Sequence, residues 1–260
     1  MPAFGHPPWM ATQRILVPAY FTPSSGKWQT ACNAVSKERA TATFIMNPDN
    51  GPGAAEDGNY RLAIDHCQAR GHSVVGYVTT DHANRAMNEV TADVDEYYSF
   101  YPGIRGIFFD EMSNNVSSRD YYRALYMHVK SKSATARVVG NPGIPASTAW
   151  QVIAPVVADV IVVFEGPFVR RDSNDPATAY RDWRPPSWVT SRPSGLFAHL
   201  VYESPSPART RAICLESFRT KNAGWIFVTQ DTRPNPWDSP LDAALLSSQT
   251  LERRQVLAVV

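Results

Sequence analysis

The stretch GIFFDE, residues 106–111, has the composition of a buried β-strand that ends in two adjacent acids, Asp110 and Glu111. Seven other short runs rich in β-branched and aromatic residues share its apolar character: 15–20, 42–47, 73–78, 136–141, 159–165, 196–202 and 224–230. Near-continuous apolar runs are typical of parallel strands that are covered on both faces. The sequence therefore predicts eight parallel strands.

Segments that can form helices alternate with these runs: 27–38, 60–71, 85–101, 118–132, 146–158, 177–188 and 207–224, with an eighth helix and a short apolar tail in 241–260. Gly71 and Gly224 lie where helix C-caps are expected, and Pro185 with Pro186 should shorten the sixth helix. This alternation predicts an α/β fold, a single-domain (β/α)8 TIM barrel over residues 1–260, in which 1–14 form an irregular N-terminal extension. A doubly wound open sheet is the alternative.

The composition excludes several classes of partner. Among 260 residues, 25 Lys and Arg balance 24 Asp and Glu, and no basic block could follow a phosphate backbone, so no nucleic acid is expected as a partner. No apolar run is long enough to cross a membrane, and the first residues lack the pattern of a leader. The three cysteines, Cys32, Cys67 and Cys214, lack the spacing of a zinc site and are expected to be packed thiols. We expect a monomer without a cofactor.

The residues that end the predicted strands are unusually polar. They are Tyr20, Asn47, Tyr77, Asp110, Glu111, Asn141, Glu165, His199, Tyr202, Thr229 and Asp231. Active sites of (β/α)8 barrels lie at the C-terminal ends of the strands, so these side chains are candidates for a common site. His199 lies inside an apolar run, where a core histidine is an equally good interpretation.

A pair of carboxyl groups suggests a reaction. Side chains alternate along a strand, so Asp110 should share a face with Phe108 and point away from Glu111. Glu165 should share a face with Ile161 and face Asp110 across the barrel mouth. Two carboxyl groups that flank a pocket are what glycosidic bond cleavage requires, one as the acid and the other as the nucleophile or base. The structural alternative is that these acids only cap strands or pair with arginines.

We assign Asp110 as nucleophile or charge stabiliser, Glu165 as general acid/base and Glu111 as the group that tunes them, although these roles could be exchanged. The loop 47–53 contains two glycines but lacks the lysine and hydroxyl of a phosphate-binding loop, and we interpret it as shaping the substrate. Asp81 and His82 could hold a metal in principle. No cluster of further ligands supports that interpretation, so no metal is predicted.

Several motifs in one order resemble a known family. They are VPAYFTPSSGKW (17–28), FIMNPDNGPG (44–53), GYVTT (76–80), GIFFDE (106–111), VGNPG (139–143), VVFEGPF (162–168) and GWIFVTQDTRPNPWDSP (224–240). Together they resemble the spherulation-specific family 4, or spherulin 4, proteins. The resemblance implies a (β/α)8 barrel and relates the chain to hydrolases of α-1,4-linked galactosamine or N-acetylgalactosamine polymers. It also implies that Asp110, Glu111 and Glu165 are the working acids.

The same resemblance implies a groove lined by aromatic residues, with Tyr20, Tyr77 and Trp225 or Trp237 as equivalents. It also points to a secreted or cell-wall protein, whereas the chain, if complete as given, would be cytoplasmic. The sequence departs from the family pattern at 81–83, so the rim near the third strand, where substrate would be held, is expected to differ from that of the family.

The leading hypothesis is an endo-acting glycoside hydrolase with a polysaccharide or oligosaccharide substrate. Its expected binding residues are Tyr20, Asn47, Tyr77, Asn141, His199, Tyr202, Trp225 and Asp231. The alternatives are a non-catalytic protein of the cell wall or spore matrix that binds polysaccharide, and a barrel enzyme of unrelated chemistry.

Overall fold

The computed structural model describes residues 13–35, 41–170 and 178–239, together with residue 246. Its eight strands are β1 (Arg14–Ala19), β2 (Ala42–Met46), β3 (Ser73–Thr79), β4 (Gly106–Asp110), β5 (Arg137–Gly140), β6 (Val160–Pro167), β7 (Phe197–Tyr202) and β8 (Trp225–Val228). Each strand pairs in parallel with the next in the sequence, and β8 pairs with β1 to close a barrel. The prediction of a (β/α)8 barrel is confirmed, and the open sheet is excluded.

The helices that cover the barrel are less regular than the strands. They are α1 (Lys27–Ala34), α2 (Gly58–Ala69), α3 (Met87–Phe100), α4 (Arg119–Lys132), α5 (Ser187–Thr190) and α6 (Pro207–Arg219), joined by short 3-10 turns. The predicted helix over 146–158 was wrong, because only a 3-10 turn, Ala149–Gln151, forms there. Pro155 lacks an N–H and its ring obstructs a helical backbone. In the next crossover the described residues form the short helix α5, after Pro185 and Pro186, and a 3-10 turn, Ser194–Leu196.

The two predicted C-cap glycines have different roles. Gly71 follows the end of α2 with φ of 80°, the left-handed conformation expected at such a position. Gly224 instead lies beyond α6, which ends at Arg219. A Cβ atom at Gly224 would come within 2.6 Å of the Ser194 carbonyl oxygen, so this glycine permits a close approach of two backbones.

Trp225 closes the N-terminal end of the barrel. Its side chain is 2% exposed, and its indole N–H donates to the Gly195 carbonyl at 3.0 Å. The guanidinium groups of Arg14 and Arg137 lie 5.0 and 4.8 Å from its ring. This floor leaves the opposite, C-terminal end as the barrel's mouth.

Most of the predicted extension over 1–14 and the predicted eighth helix and tail over 241–260 lie outside the described residues. Within the extension, Arg14 belongs to β1. Within the tail, Leu246 is helical and fully buried against the core. Among the helices that the structure describes, none is long and apolar enough to cross a membrane.

A disulfide joins α1 to α2. Cys32 and Cys67 are bonded across a Cα–Cα distance of 5.3 Å, and both side chains are fully buried, while Cys214 is a buried thiol outside this disulfide. The expectation of three packed thiols was therefore wrong for Cys32 and Cys67. Their separation of 35 residues does not predict a disulfide, because only the packing of the two helices brings the two cysteines together.

Reduction should destabilise the protein. A crosslink that closes a loop of 35 residues lowers the conformational entropy of the unfolded chain. In the chain-entropy treatment this raises the free energy of unfolding by about 3–4 kcal/mol. We expect dithiothreitol to lower the free energy of unfolding, measured with urea, by about this amount. A Cys32→Ala/Cys67→Ala variant should start near the reduced parent and should not respond to the reductant. A reductant effect that persists in that variant would contradict the prediction.

Candidate active site

Asp110 ends β4 at the mouth and points into the barrel. It shares a face with Phe108, as the strand alternation predicts, and the Phe108 ring stacks on Tyr77 of β3 at a centroid distance of 6.2 Å. The Asn141 amide donates to Asp110 Oδ1 at 2.7 Å. Asn141 directly follows β5, so neighbouring parallel strands deliver both side chains to the same edge.

Glu165 points into the barrel because β6 is irregular. Ile161 pairs with Phe197 and Val162 with Ala198, but the register then shifts so that Phe164 pairs with His199. Phe164 packs in the cluster that lies against α6, on the outer face of the sheet. Glu165 consequently pairs with Leu200 and shares the inner face with Val162, rather than with Ile161 as the regular alternation predicted.

A single amide connects the two acids. The Asn141 side-chain nitrogen donates to Asp110 Oδ1 at 2.7 Å and to Glu165 Oε2 at 2.6 Å. Asn141 Oδ1 accepts from the Gly143 N–H at 3.0 Å, which fixes the orientation of the side-chain amide. Two oxygens bonded to one nitrogen at these distances cannot lie more than 5.3 Å apart.

Trp237 holds the other oxygen of Glu165. Its indole N–H donates to Glu165 Oε1 at 3.0 Å. The Trp237 side chain is 6% exposed and packs edge-on against Tyr202. The sequence suggested Trp237 only as a groove aromatic, because nothing in the pattern of a loop indicates which side chain its indole will contact.

Burial perturbs both acids. Burial and, to a lesser extent, the Asp110 charge raise the pKa of Glu165 to about 7, while the hydrogen bonds from Asn141 and Trp237 oppose this shift. Burial also raises the pKa of Asp110, against the stabilising effect of the Glu111 N–H, the Tyr77 hydroxyl and Asn141. Glu165 can therefore carry a proton near neutral pH, as a general acid must.

Glu111 lies at the rim in a strained conformation. Its φ of 51° is in the left-handed region, so the strand alternation does not extend to it. Its carboxylate accepts a hydrogen bond from the Thr79 hydroxyl, and its carbonyl accepts from the His82 N–H at 2.8 Å. The segment 81–83, where the sequence departs from the family pattern, also has positive φ at all three residues.

Aromatic side chains line the wall beside the acids. Tyr20 packs edge-on against Tyr77 with ring centroids 5.5 Å apart, and Tyr202 packs edge-on against Trp237 at 5.8 Å. Burial raises the pKa of Tyr20 well above its usual value, and the Asp110 charge raises it further. The Tyr20 hydroxyl therefore remains neutral. These rings give the mouth amphipathic faces of the kind that pack against sugars.

The structure does not bring two of the predicted binding residues to the mouth. His199 is fully buried on the outer face, where its Nδ1 bonds the Tyr180 hydroxyl at 2.9 Å and its ring packs on Trp183. Burial lowers the pKa of His199 to about 3, so it is a neutral core histidine. Trp225 lies at the floor, because it begins β8 rather than ending it. Neither residue can contact a ligand at the mouth, and both assignments are corrected.

Asn47 and Asp231 lie on loops that follow their strands at the mouth. The Asn47 carbonyl accepts from the Tyr60 hydroxyl at 3.3 Å, and its side-chain oxygen is buried without a hydrogen-bond partner. Asp231 accepts from the Thr232 N–H at 2.8 Å and places its other side-chain oxygen in the interior, also without a partner. Among the described residues, neither side chain forms a hydrogen bond with Asp110, Glu111 or Glu165. Within the described ranges, no group of three or more His, Cys, Asp or Glu residues could hold a metal ion.

The pKa of Glu165 makes a testable contribution to stability. Its value in the folded protein, about 7, lies above the usual 4.5, so the folded state binds the proton more tightly than the unfolded state does. Relative to Glu165→Gln, the parent should therefore lose up to about 3 kcal/mol of unfolding free energy between pH 4.5 and 7, and nothing more above that range. Urea unfolding of both proteins across this range measures the difference. A difference that stays constant with pH would contradict the assigned shift.

Comparisons with known proteins identify the family of the chain. Residues 14–244 match the profile of spherulation-specific family 4. Spherulin-4 of Physarum polycephalum is 37% identical over 153 residues, which are 58% of this chain and 44% of that protein. The match thus spans less than half the length of this relative.

Solved structures share the barrel. Aspergillus clavatus Sph3, crystallised in complex with GalNAc, superimposes with a TM-score of 0.74 at 23% identity, over 93% of this chain and 99% of that one. A glucosidase from Croceicoccus marinus gives a TM-score of 0.53 at 10% identity, over 94% and 66%. Identities this low show the fold alone, a barrel of the type found in glycoside hydrolases. The family match, in contrast, covers most of the sequence, and the protein belongs to spherulation-specific family 4.

Proposed function

We propose that the protein is a retaining glycoside hydrolase that cleaves within an α-1,4-linked galactosamine or N-acetylgalactosamine polysaccharide. The observation that carries the proposal is the Asn141 bridge, which keeps an oxygen of Asp110 within 5.3 Å of an oxygen of Glu165. Retaining enzymes separate their carboxyl groups by about 5–5.5 Å, whereas inverting enzymes need about 6.5–9.5 Å to admit a water. The short separation supports a covalent mechanism.

In the first step, protonated Glu165 donates its proton to the glycosidic oxygen while the Asp110 carboxylate attacks the anomeric carbon. The bond to the leaving sugar breaks, and an ester between Asp110 and the sugar forms. In the second step, the Glu165 carboxylate takes a proton from a water molecule, whose oxygen attacks the same carbon and releases Asp110. Each acid returns to its starting state.

The assignment of roles follows from the surroundings of each acid. Asp110 has three groups that favour its charged form: the Glu111 N–H, the Tyr77 hydroxyl and Asn141. Glu165 has two, Asn141 and Trp237, and its pKa is raised to about 7. Asp110 is therefore suited to be the nucleophile and Glu165 the acid/base. Asn141 acts as a positioning residue that orients both.

The substrate class rests on similarity. Sph3 was crystallised with GalNAc, and the wall of tyrosines beside the acids suits a sugar chain. The Cys32–Cys67 disulfide supports an oxidising location, such as the cell surface or the medium. We therefore propose a polysaccharide outside the cell as the substrate.

Removal of either acid should abolish cleavage. The parent should release new reducing ends from α-1,4-galactosamine or N-acetylgalactosamine polymers, and Asp110→Asn and Glu165→Gln should each lower kcat by on the order of 10³-fold or more. Asp120→Asn, which neutralises an exposed acid in the first turn of α4, is the matched control and should be fully active. If the parent cuts none of these polymers while the protein still binds them, the protein is a polysaccharide-binding protein instead.

The pH profile should identify the acid. Because Glu165 must be protonated for the first step, kcat/KM should fall as pH rises through about 7. Trp237→Phe removes the indole N–H that stabilises the charged form, so this alkaline limb should move to higher pH. Tyr202→Phe keeps the edge-on ring beside Trp237 and leaves the indole bond in place, so it should not move the limb. A limb that is the same in all three proteins would show that Glu165 is not the acid.

A further inference from the structure

A second concave surface lies beside the catalytic acids. It is a cavity of about 300 Å³ between the loop that follows β2 and the helix α3, and its wall includes Asp49, Thr79, Arg85, Asp93 and Glu96. This volume is at the lower end of the range for small-molecule sites. None of these residues takes part in the catalytic steps.

The cavity is connected to the mouth through one residue. Thr79 ends β3, pairs in register with Asp110, and lines the cavity. Its hydroxyl also donates to the Glu111 carboxylate. A polysaccharide that runs across the mouth from the acids past Thr79 would thus place a neighbouring sugar ring in the cavity.

Arg85 and Asp93 form a fixed part of the wall. Arg85 Nη1 donates to Asp93 Oδ2 and to the Thr79 carbonyl, each at 2.8 Å. The Tyr121 hydroxyl donates to the Arg85 carbonyl at 3.0 Å, which holds the backbone. A guanidinium has five N–H donors, and these two bonds use only Nη1. The remaining donors are suited to the hydroxyl groups of a sugar.

The charges of the wall favour a cationic ligand. Asp93 forms an ion pair with Arg85, but in the part of the chain that the structure describes neither the Asp49 carboxylate nor the Glu96 carboxylate makes a hydrogen bond or ion pair. An ammonium group would give these two carboxylates charge-assisted hydrogen bonds. An N-acetyl group would cover them without compensating their charge, which is unfavourable.

We propose that this cavity is an additional sugar subsite, next to the cleaved bond, for a ring that carries a free ammonium group. This subsite proposal rests on the proposed hydrolase function and narrows the substrate of the enzyme. The protein would favour a polymer in which at least one sugar beside the cleaved bond is galactosamine rather than N-acetylgalactosamine. Thr79 and Arg85 would orient the ring, and Asp49 with Glu96 would select its amine.

Binding tests the subsite separately from cleavage. In a Glu165→Gln background, calorimetric titration at low salt should give a Kd for the α-1,4-galactosamine tetrasaccharide about tenfold lower than for its N-acetylated form. Adding Asp49→Asn and Glu96→Gln should weaken binding of the amino form about tenfold and leave the N-acetylated form unchanged. Asp65→Asn with Glu89→Gln removes two exposed charges from α2 and α3 outside the cavity, and should change neither Kd.

The subsite is overturned if both tetrasaccharides bind equally or not at all, if the Asp49 and Glu96 changes have no effect, or if the control pair weakens binding as much. Thermal unfolding of the two double variants should be alike, so that lost binding cannot be ascribed to lost folding. A parent that binds the amino form selectively but cuts nothing would refute the hydrolase proposal and keep the subsite. A parent that cuts the N-acetylated polymer but binds both tetrasaccharides equally would refute the subsite and keep the hydrolase proposal.

Discussion

Closure of the eight parallel strands is the constraint on which the site depends. Because β8 pairs with β1 and all strands run in the same direction, the residues that follow β3, β4, β5, β6 and β8 are brought to one mouth. Residues far apart in the chain then meet within hydrogen-bond distance, as Trp237 and Glu165 do at 3.0 Å. In the described part of the chain, Trp225 fills the opposite end between two arginines, so the candidate site lies at the mouth.

The bridge at Asn141 combines two opposing requirements. Two carboxyl groups placed this close repel one another when both are ionised, and burial adds to that repulsion. The amide nitrogen gives one N–H to each acid, which reduces the repulsion without neutralising either group. The site thus keeps one acid protonated near neutral pH, and the folded protein loses some stability when that proton leaves.

Backbone strain is concentrated on the side of the mouth that faces the cavity. Glu111 and the segment 81–83 all have positive φ, and the His82 N–H holds the Glu111 carbonyl. Strained positions of this kind persist only where the surrounding contacts fix them, and they are common at functional sites. The strain lies where the sequence departs from the family pattern, so this rim is where substrate preference within the family can differ.

The sequence by itself determined the barrel and most of its mouth. Eight apolar runs that alternate with helical segments leave few other topologies, and strand alternation was sufficient to turn Asp110 inward with Phe108. The same alternation wrongly gave Glu165 the face of Ile161, because a register shift between Val162 and Phe164 reverses the face of every later residue in β6 and gives Glu165 the face of Val162 instead. A bulge depends on pairing with the neighbouring strand, and a single apolar run carries no sign of it.

Tertiary structure alone decided the remaining contacts. The Cys32–Cys67 bond, the indole bond from Trp237 to Glu165 and the outward burial of His199 each join segments that are distant in the chain. A pattern of residue types reports local periodicity, whereas these contacts depend on how strands and helices pack around the closed sheet. For that reason the sequence could nominate Asp110 and Glu165 as candidates at the barrel mouth, but only the folded barrel could show that Asn141 bridges them.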